Sequence, residues 1–229
     1  MTSIHQALGR TVLAMAAVTI IALPATAATS GYSETWDTAG NLGGWLGNTT
    51  DSVVGNPGVG GNGDGYLETA RSGPFPIGAV TLLPAATGSF GSQVWNAKVD
   101  LIGLSGSTSD VWLRFRFQDA TFNGWRHRLT NELSRDWQSF GVTFDPTWTD
   151  AQALANGWET DLAGGVGSVS WAQTLGSVYT TEVRIDGTAS LKAGIDNFSL
   201  TAVPEPSSLA LVLAGLGMAG VMARRRRFN

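Results

Sequence analysis

The chain has 229 residues, no cysteine and a formal net charge of −4. The lack of cysteine excludes disulfides, thiol nucleophiles and thiolate metal sites. Residues 28–202 hold 9 Lys+Arg against 17 Asp+Glu, about −8, and a body this acidic excludes general nucleic-acid binding. Thirty glycines and nine tryptophans point to many turns and large aromatics, the makings of an all-β protein with long loops.

Residues 1–27 read as a secretory signal peptide. His5 and Arg10 lie in the n-region, Val12 to Leu23 is the apolar core, and Ala25-Thr26-Ala27 offers a small-x-small cleavage site. An uncleaved anchor is the alternative, but the run is short and Pro24 breaks it. Residues 28–202 are one domain's worth of chain, enough to bury a core without disulfides.

Along that body, Tyr32 to Asp37 is a first strand, followed by a Gly-Asn loop ending at Trp45. Asp51 to Gly65 is turn chemistry, dense in Gly, Asn and Asp. Tyr66 to Ala70 is a short strand. Arg71 to Pro84 holds three prolines and is expected to be irregular or an edge. Gln93 to Leu104 is a strand. In Asp110 to Phe117, Val111, Leu113, Phe115 and Phe117 alternate with Trp112, Arg114 and Arg116, a period of two. Trp125 to Thr130 alternates again, and Asp119 to Gly124 closes a hairpin between them. Trp137 to Phe144 is a strand ended by Asp145-Pro146. Thr149 to Asn156 is expected to be the only helix, with Thr149 as N-cap and Asn156-Gly157 as stop. Val166 to Trp171 is short strand or loop. Val178 to Asp186 and Ala193 to Thr201 form a closing pair. Short alternating strands without a βαβ rhythm or fixed repeat give a β-sandwich of jelly-roll type.

With Val111, Leu113, Phe115 and Phe117 facing the core, Trp112, Arg114 and Arg116 face outward. If Trp125 and His127 point inward, Arg126 and Arg128 join them. Four arginines and a tryptophan on one face suit an anionic exopolysaccharide, since guanidinium forks match carboxylate or sulfate and an indole stacks on a sugar ring. The alternative is a solvated face whose arginines pair with neighbouring acids. Trp36, Trp45, Trp137 and Trp158 are expected to be core or loop anchors rather than sugar platforms.

Catalytic signatures are missing from the sequence. Of two histidines, His5 leaves with the signal peptide and His127 stands alone. There is no HExxH spacing, no Gly-x-Ser-x-Gly elbow, and no lysine or helix after the Gly60 to Gly65 loop. Paired carboxylates could serve a glycosidase, but 17 acids allow many arbitrary pairs.

Residues 203–229 form the last part. Val203-Pro204-Glu205-Pro206 precedes an apolar run from Leu209 to Ala223 and the cluster Arg224-Arg225-Arg226-Arg227. The run gives a single apolar helix of roughly 22 Å, short for a membrane span unless the arginines snorkel. The arginines would stay cytoplasmic and leave the body outside. These three zones resemble a PEP-CTERM sorting signal. The resemblance implies a Gram-negative host that makes exopolysaccharide, an exosortase that recognises Pro204, Glu205 and Pro206, and transient residence in the inner membrane before release to the cell surface or medium. Prolines keep that tripeptide extended and open to a peptidase cleft.

The body has a second resemblance. Glu34-Thr35-Trp36-Asp37, the Arg135 to Phe140 stretch and Ile195-Asp196-Asn197-Phe198 resemble galactose-binding-like jelly rolls, including carbohydrate-binding modules and laminin domain IV-like modules. That implies a structural Ca²⁺ held by Glu34 or Asp37 together with Asp196. The expectation is an exported, non-catalytic surface or matrix protein that binds exopolysaccharide. The alternative is a secreted glycan-active enzyme or its accessory carbohydrate-binding module.

Overall fold

The computed structural model describes residues 27–52, 57–118, 122–162 and 167–204. Residues 1–26 of the expected signal peptide, the apolar run Leu209 to Ala223 and the four terminal arginines lie outside them. Twelve strands appear in order: β1 (Tyr32–Glu34), β2 (Trp45–Gly47), β3 (Thr49–Ser52), β4 (Tyr66–Arg71), β5 (Ile77–Thr81), β6 (Trp95–Ser105), β7 (Thr108–Phe117), β8 (Gly124–Thr130), β9 (Gln138–Phe144), β10 (Trp158–Asp161), β11 (Val178–Gly187) and β12 (Leu191–Ala202). Two helices, α1 (Asp150–Ala155) and α2 (Trp171–Gly176), interrupt them.

The strands form two six-stranded antiparallel sheets packed as a jelly-roll sandwich. The first runs β3-β4-β12-β6-β9, with β1 also paired to β12; the second runs β10-β8-β7-β11-β5-β2. Period-two burial explains the packing. In β6, Trp95, Ala97, Val99 and Leu101 point inward, as do Val111, Leu113 and Phe115 in β7. The core between the sheets is strongly aromatic. Phe115 stacks on Trp158 at 5.4 Å, and Trp158 meets Trp171 edge-on at 4.8 Å. Offset and edge-to-face contacts of this kind add to the area such rings bury.

Three expectations change. Thr149 to Asn156 was expected to be the only helix, but Trp171–Gly176 is a second, beginning where the expected strand or loop of Val166 to Trp171 ends. Ser170 accepts from the Gln173 backbone and Gln173 reciprocates, a complete capping box. Ile77–Thr81 is an interior strand between β11 and β2, because its prolines bracket it rather than interrupt it. Trp158–Asp161 is a strand that the sequence did not announce, pairing β8 at the edge of the second sheet. The first helix matches its expected cap: Thr149 accepts from the Gln152 backbone. Thr149→Ala is expected to cost about 1 kcal/mol, seen as a lower urea midpoint with an unchanged slope.

Candidate functional site

The arginine face is built by register. Across β7 and β8, Trp112 sits opposite Arg128 and Arg114 opposite Arg126. All five residues expected to gather do share the outward side of the second sheet. The flanking strands then supply acids. Glu182 of β11 is opposite Arg114, and Glu159 of β10 is opposite Arg126. Arg114 reaches Asp161 at 2.5 Å and Glu182 at 3.1 Å; Arg116 reaches Glu182 at 3.1 Å and Asp161 at 3.5 Å. Arg126 pairs with Glu159 and Arg128 with Asp110, each at 3.1 Å. Burial pushes the Glu182 carboxyl up, against the pull of Arg116.

Trp112 was expected to present an open ring. Instead it is buried, 3 % exposed, with its Nε1 donating to Asp186 at 3.1 Å. The guanidinium carbons of Arg126 and Arg128 lie 4.1 and 4.7 Å from the ring centre. Cation–π contact thus occupies the surface a sugar would need. Arg114 is also 3 % exposed. In this arrangement the arginines of the face are charge-compensated, Arg114 and Arg116 within the sheet and Arg126 and Arg128 nearer solvent.

The acids expected around a cation are arranged differently from that expectation. Asp196 is fully buried in β12 at a bulge where Asn197 takes φ +50°, and it accepts from Val59 N at 3.1 Å and Asn197 N at 2.7 Å. Burial pushes its carboxyl up to about 6, with Asp64 and Asp100 adding repulsion. Asp37 accepts from Thr35 at 2.6 Å and Gly65 N at 3.4 Å, and bonds to Thr35 and Asp64 hold its carboxyl below the usual range. Glu34 accepts from Trp36 N at 3.2 Å. Asp64, which the sequence did not single out, lies beside both Asp196 and Asp37. A Cβ on Gly58 would come within 2.6 Å of Asp64 Oδ2 and 2.9 Å of Asp196 Oδ2, so these oxygens close around a bare backbone. Among the described residues, no three acidic or histidine side chains converge on one coordination point.

The outward side of the first sheet is more open. A hollow of about 340 Å³ lies between Tyr66, Ile102, Leu104, Arg135 and Trp137. A second, about 400 Å³, is lined by Lys98, Asp100, Ser139, Asn197 and Ser199. Trp137 was expected to be a core or loop anchor, as Trp36, Trp45 and Trp158 are; those three are buried, whereas Trp137 is half-buried and lines the hollow. It meets Tyr66 edge-on at 5.5 Å and its Nε1 donates to Pro57 O at 3.4 Å. The ring of His127 packs on Trp158 at 5.3 Å, and burial lowers its pKa.

At the end of β12, Val203 N still donates to Val94 O, and Val203 and Pro204 are exposed. Residues 202–227 match the PEP-CTERM protein-sorting motif. The chain is therefore directed for export and exosortase handling. Glu205 and Pro206 lie outside the described residues, and among those described no helix is long and apolar enough to cross a membrane.

No curated protein matches the chain by sequence. Among solved structures, an exo-beta-agarase aligns with a TM-score of 0.53 and 10 % identity over 77 % of this chain, which spans a quarter (25 %) of that one. The CBM22-1 xylan-binding domain of Paenibacillus barcinonensis Xyn10C aligns at 0.49 and 11 %, covering 77 % of this chain and 97 % of that domain. The family 11 carbohydrate-binding module of a Clostridium thermocellum cellulosomal cellulase aligns at 0.48 and 14 %, covering 77 % and 96 %. At such identities the likeness is one of fold.

Proposed function

We propose that this is an exported, exosortase-processed protein of the cell surface or extracellular matrix whose jelly-roll body binds exopolysaccharide without catalysing a reaction. One observation carries the reading. The sorting motif begins at the last residue of a sandwich that leaves one broad sheet face open and furnished with an aromatic ring and hydrogen-bonding side chains. In the precursor, the apolar run lodges in the inner membrane of a Gram-negative host with Arg224 to Arg227 inside. The test is retention of the purified full chain by the host's exopolysaccharide, with reducing ends counted over time. Retention without release is expected. Failure to bind sinks the reading, and steady release of reducing ends replaces it with the glycan-active alternative.

The same reading includes a structural Ca²⁺. The donor type suits the ion: Asp64 and Asp196 turn hard carboxylate oxygens toward the Gly65 carbonyl around Gly58, and Asp37, bonded to Gly65 N, is the nearby acid that would have to move in to complete the set. Glu34 is engaged through Oε1 with Trp36 N, so Asp37 is the first-strand acid the reading favours. Bound Ca²⁺ would neutralise the acid cluster and pin the 57–65 loop to β12. Calcium-free protein then has a defined pH response. The Asp196 carboxyl, raised from 3.8 to about 6 in the folded state, takes up its proton more readily folded than unfolded. Stability is therefore greatest below pH 3.8 for this group and is lost as pH rises toward 6, by on the order of 3 kcal/mol. Calcium is expected to restore that loss at pH 7, and Asp196→Asn to remove both the pH step and the calcium response. Thermal unfolding with and without chelator reads all three; a melting temperature indifferent to calcium rules out the ion.

A further inference from the structure

We propose that the outward face of the first sheet, along β6 between β9 and β12, is a linear groove for a polysaccharide chain bearing carboxylate groups, with Trp137 as its stacking platform and Lys98 and Arg135 as its anion contacts. This rests on the glycan-binding reading above and adds the site and the ligand class.

The groove follows from the alternation of β6. Lys98, Asp100, Ile102 and Leu104 point outward in succession, a line of roughly 20 Å at ~3.3 Å per residue. The two hollows open at the two ends of that line, one apolar at Ile102 and Leu104 and one polar at Lys98 and Asp100. An open trough of this length suits several linked sugars rather than one small molecule in a closed pocket.

The aromatic end is held in advance of any ligand. Gly194 of β12 lies beneath it, and a Cβ there would stand 2.9 Å from the Trp137 ring and 3.0 Å from Tyr66. With no side chain below, the two rings lie close against the sheet, locked edge to face. The indole needs little ordering to receive a sugar, so little binding energy is lost to fixing it. The polar end is also fixed: Ser139 Oγ and Asn197 Nδ2 both donate to Asp100, the latter at 2.9 Å.

Charge selects the ligand class. On the second sheet every outward arginine already meets an acid. On this face Lys192 meets Glu68 at 2.8 Å, but Lys98 and Arg135 have no ion pair among the described residues. Arg135 donates to Gly103 O at 3.0 Å and Gly106 O at 2.8 Å, both uncharged, and Lys98 is exposed with no carboxylate partner among the described residues. Asp136 lines the hollow with Arg135, and Asp100 lines the one with Lys98 while accepting from Ser139 and Asn197. Yet neither acid forms an ion pair with its neighbouring cation among the described residues, which leaves both cations for a partner. A neutral chain would use the indole and leave both charges idle. A uronate chain uses all three, with the Arg135 fork and the Lys98 ammonium taking its carboxylates.

The test is affinity electrophoresis of the full chain through polygalacturonate and through neutral hydroxyethylcellulose. Wild type is expected to be retarded more strongly by polygalacturonate, with retardation falling as salt rises. Trp137→Ala should weaken it roughly tenfold. Lys98→Glu and Arg135→Gln should each weaken it severalfold and flatten the salt dependence. Arg126→Ala combined with Arg128→Ala should leave it unchanged. Lys98 is exposed, so its variant carries the test if Trp137→Ala fails to fold. Full retention in both the Trp137 and Lys98 variants would remove the groove while leaving glycan binding intact. Equal or stronger retention by the neutral polymer would overturn the carboxylate assignment. Retention by neither these polymers nor the host's exopolysaccharide would defeat the glycan-binding reading itself.

Discussion

Arg114→Ala is expected to lower the unfolding free energy by about 3–5 kcal/mol, the range for removing one partner of a buried charge network. Arg114 is 3 % exposed and holds both Asp161 and Glu182. Its loss leaves two acids in a poorly solvated place with Arg116 alone to serve them. Burial already pushes Glu182 up, and without Arg114 it should rise further. The deficit is thus largest at neutral pH and shrinks as acid protonates Glu182. Arg128→Ala, removing an exposed pair with Asp110, should cost under about 1 kcal/mol. Urea unfolding followed by tryptophan fluorescence at two pH values measures both. Equal costs for the two variants would mean that the network adds nothing to stability beyond ordinary surface pairs.

Trp171→Ala should cost about 3–5 kcal/mol, the usual range for truncating a buried aromatic. Trp171 is fully buried, touches the rings of Trp125, Phe144, Trp148 and Trp158, and donates from Nε1 to Asp145 O at 2.8 Å. Its backbone N–H donates to Asp150 at 2.7 Å, tying the start of α2 to α1. Alanine removes the wedge between both helices and the sheets. Trp171→Phe should recover part of the loss, since it refills volume without the Nε1 bond. Thermal unfolding of the three proteins checks the order; a melting temperature for the alanine protein equal to wild type would show that the helices are not held through this ring.

What could be seen in advance follows from the range over which each feature acts. The period-two pattern of Val111 to Phe117 is local, and it placed β7 and its buried face. The α1 cap was equally local, written in Thr149 and Gln152. β10 escaped because four residues cannot display a period, and α2 because its cap box opens on a tryptophan in a stretch without helical periodicity. The arginine face was half visible. Alternation collected Trp112, Arg114, Arg116, Arg126 and Arg128 on one side, yet the acids opposite them come from strands whose register no local pattern reveals. The groove joins Trp137 to Gly194 across strands that only folding makes neighbours. Asp64 was hidden among the turn residues of its loop, where any acid reads as turn chemistry.

The position of β12 constrains when this molecule can be assembled. That strand pairs with β1, β4 and β6 and ends at Ala202. The half of the sandwich it threads therefore stays unzipped until nearly the whole body has been exported. The Pro204-Glu205-Pro206 tripeptide follows within a few residues, and Ser30 near the start of the body binds Ala202 N at 2.9 Å. Closure of the sheet and access by the sorting peptidase thus compete for the same short stretch, and a severed molecule would be left with almost no tether between its folded body and whatever receives its cut end.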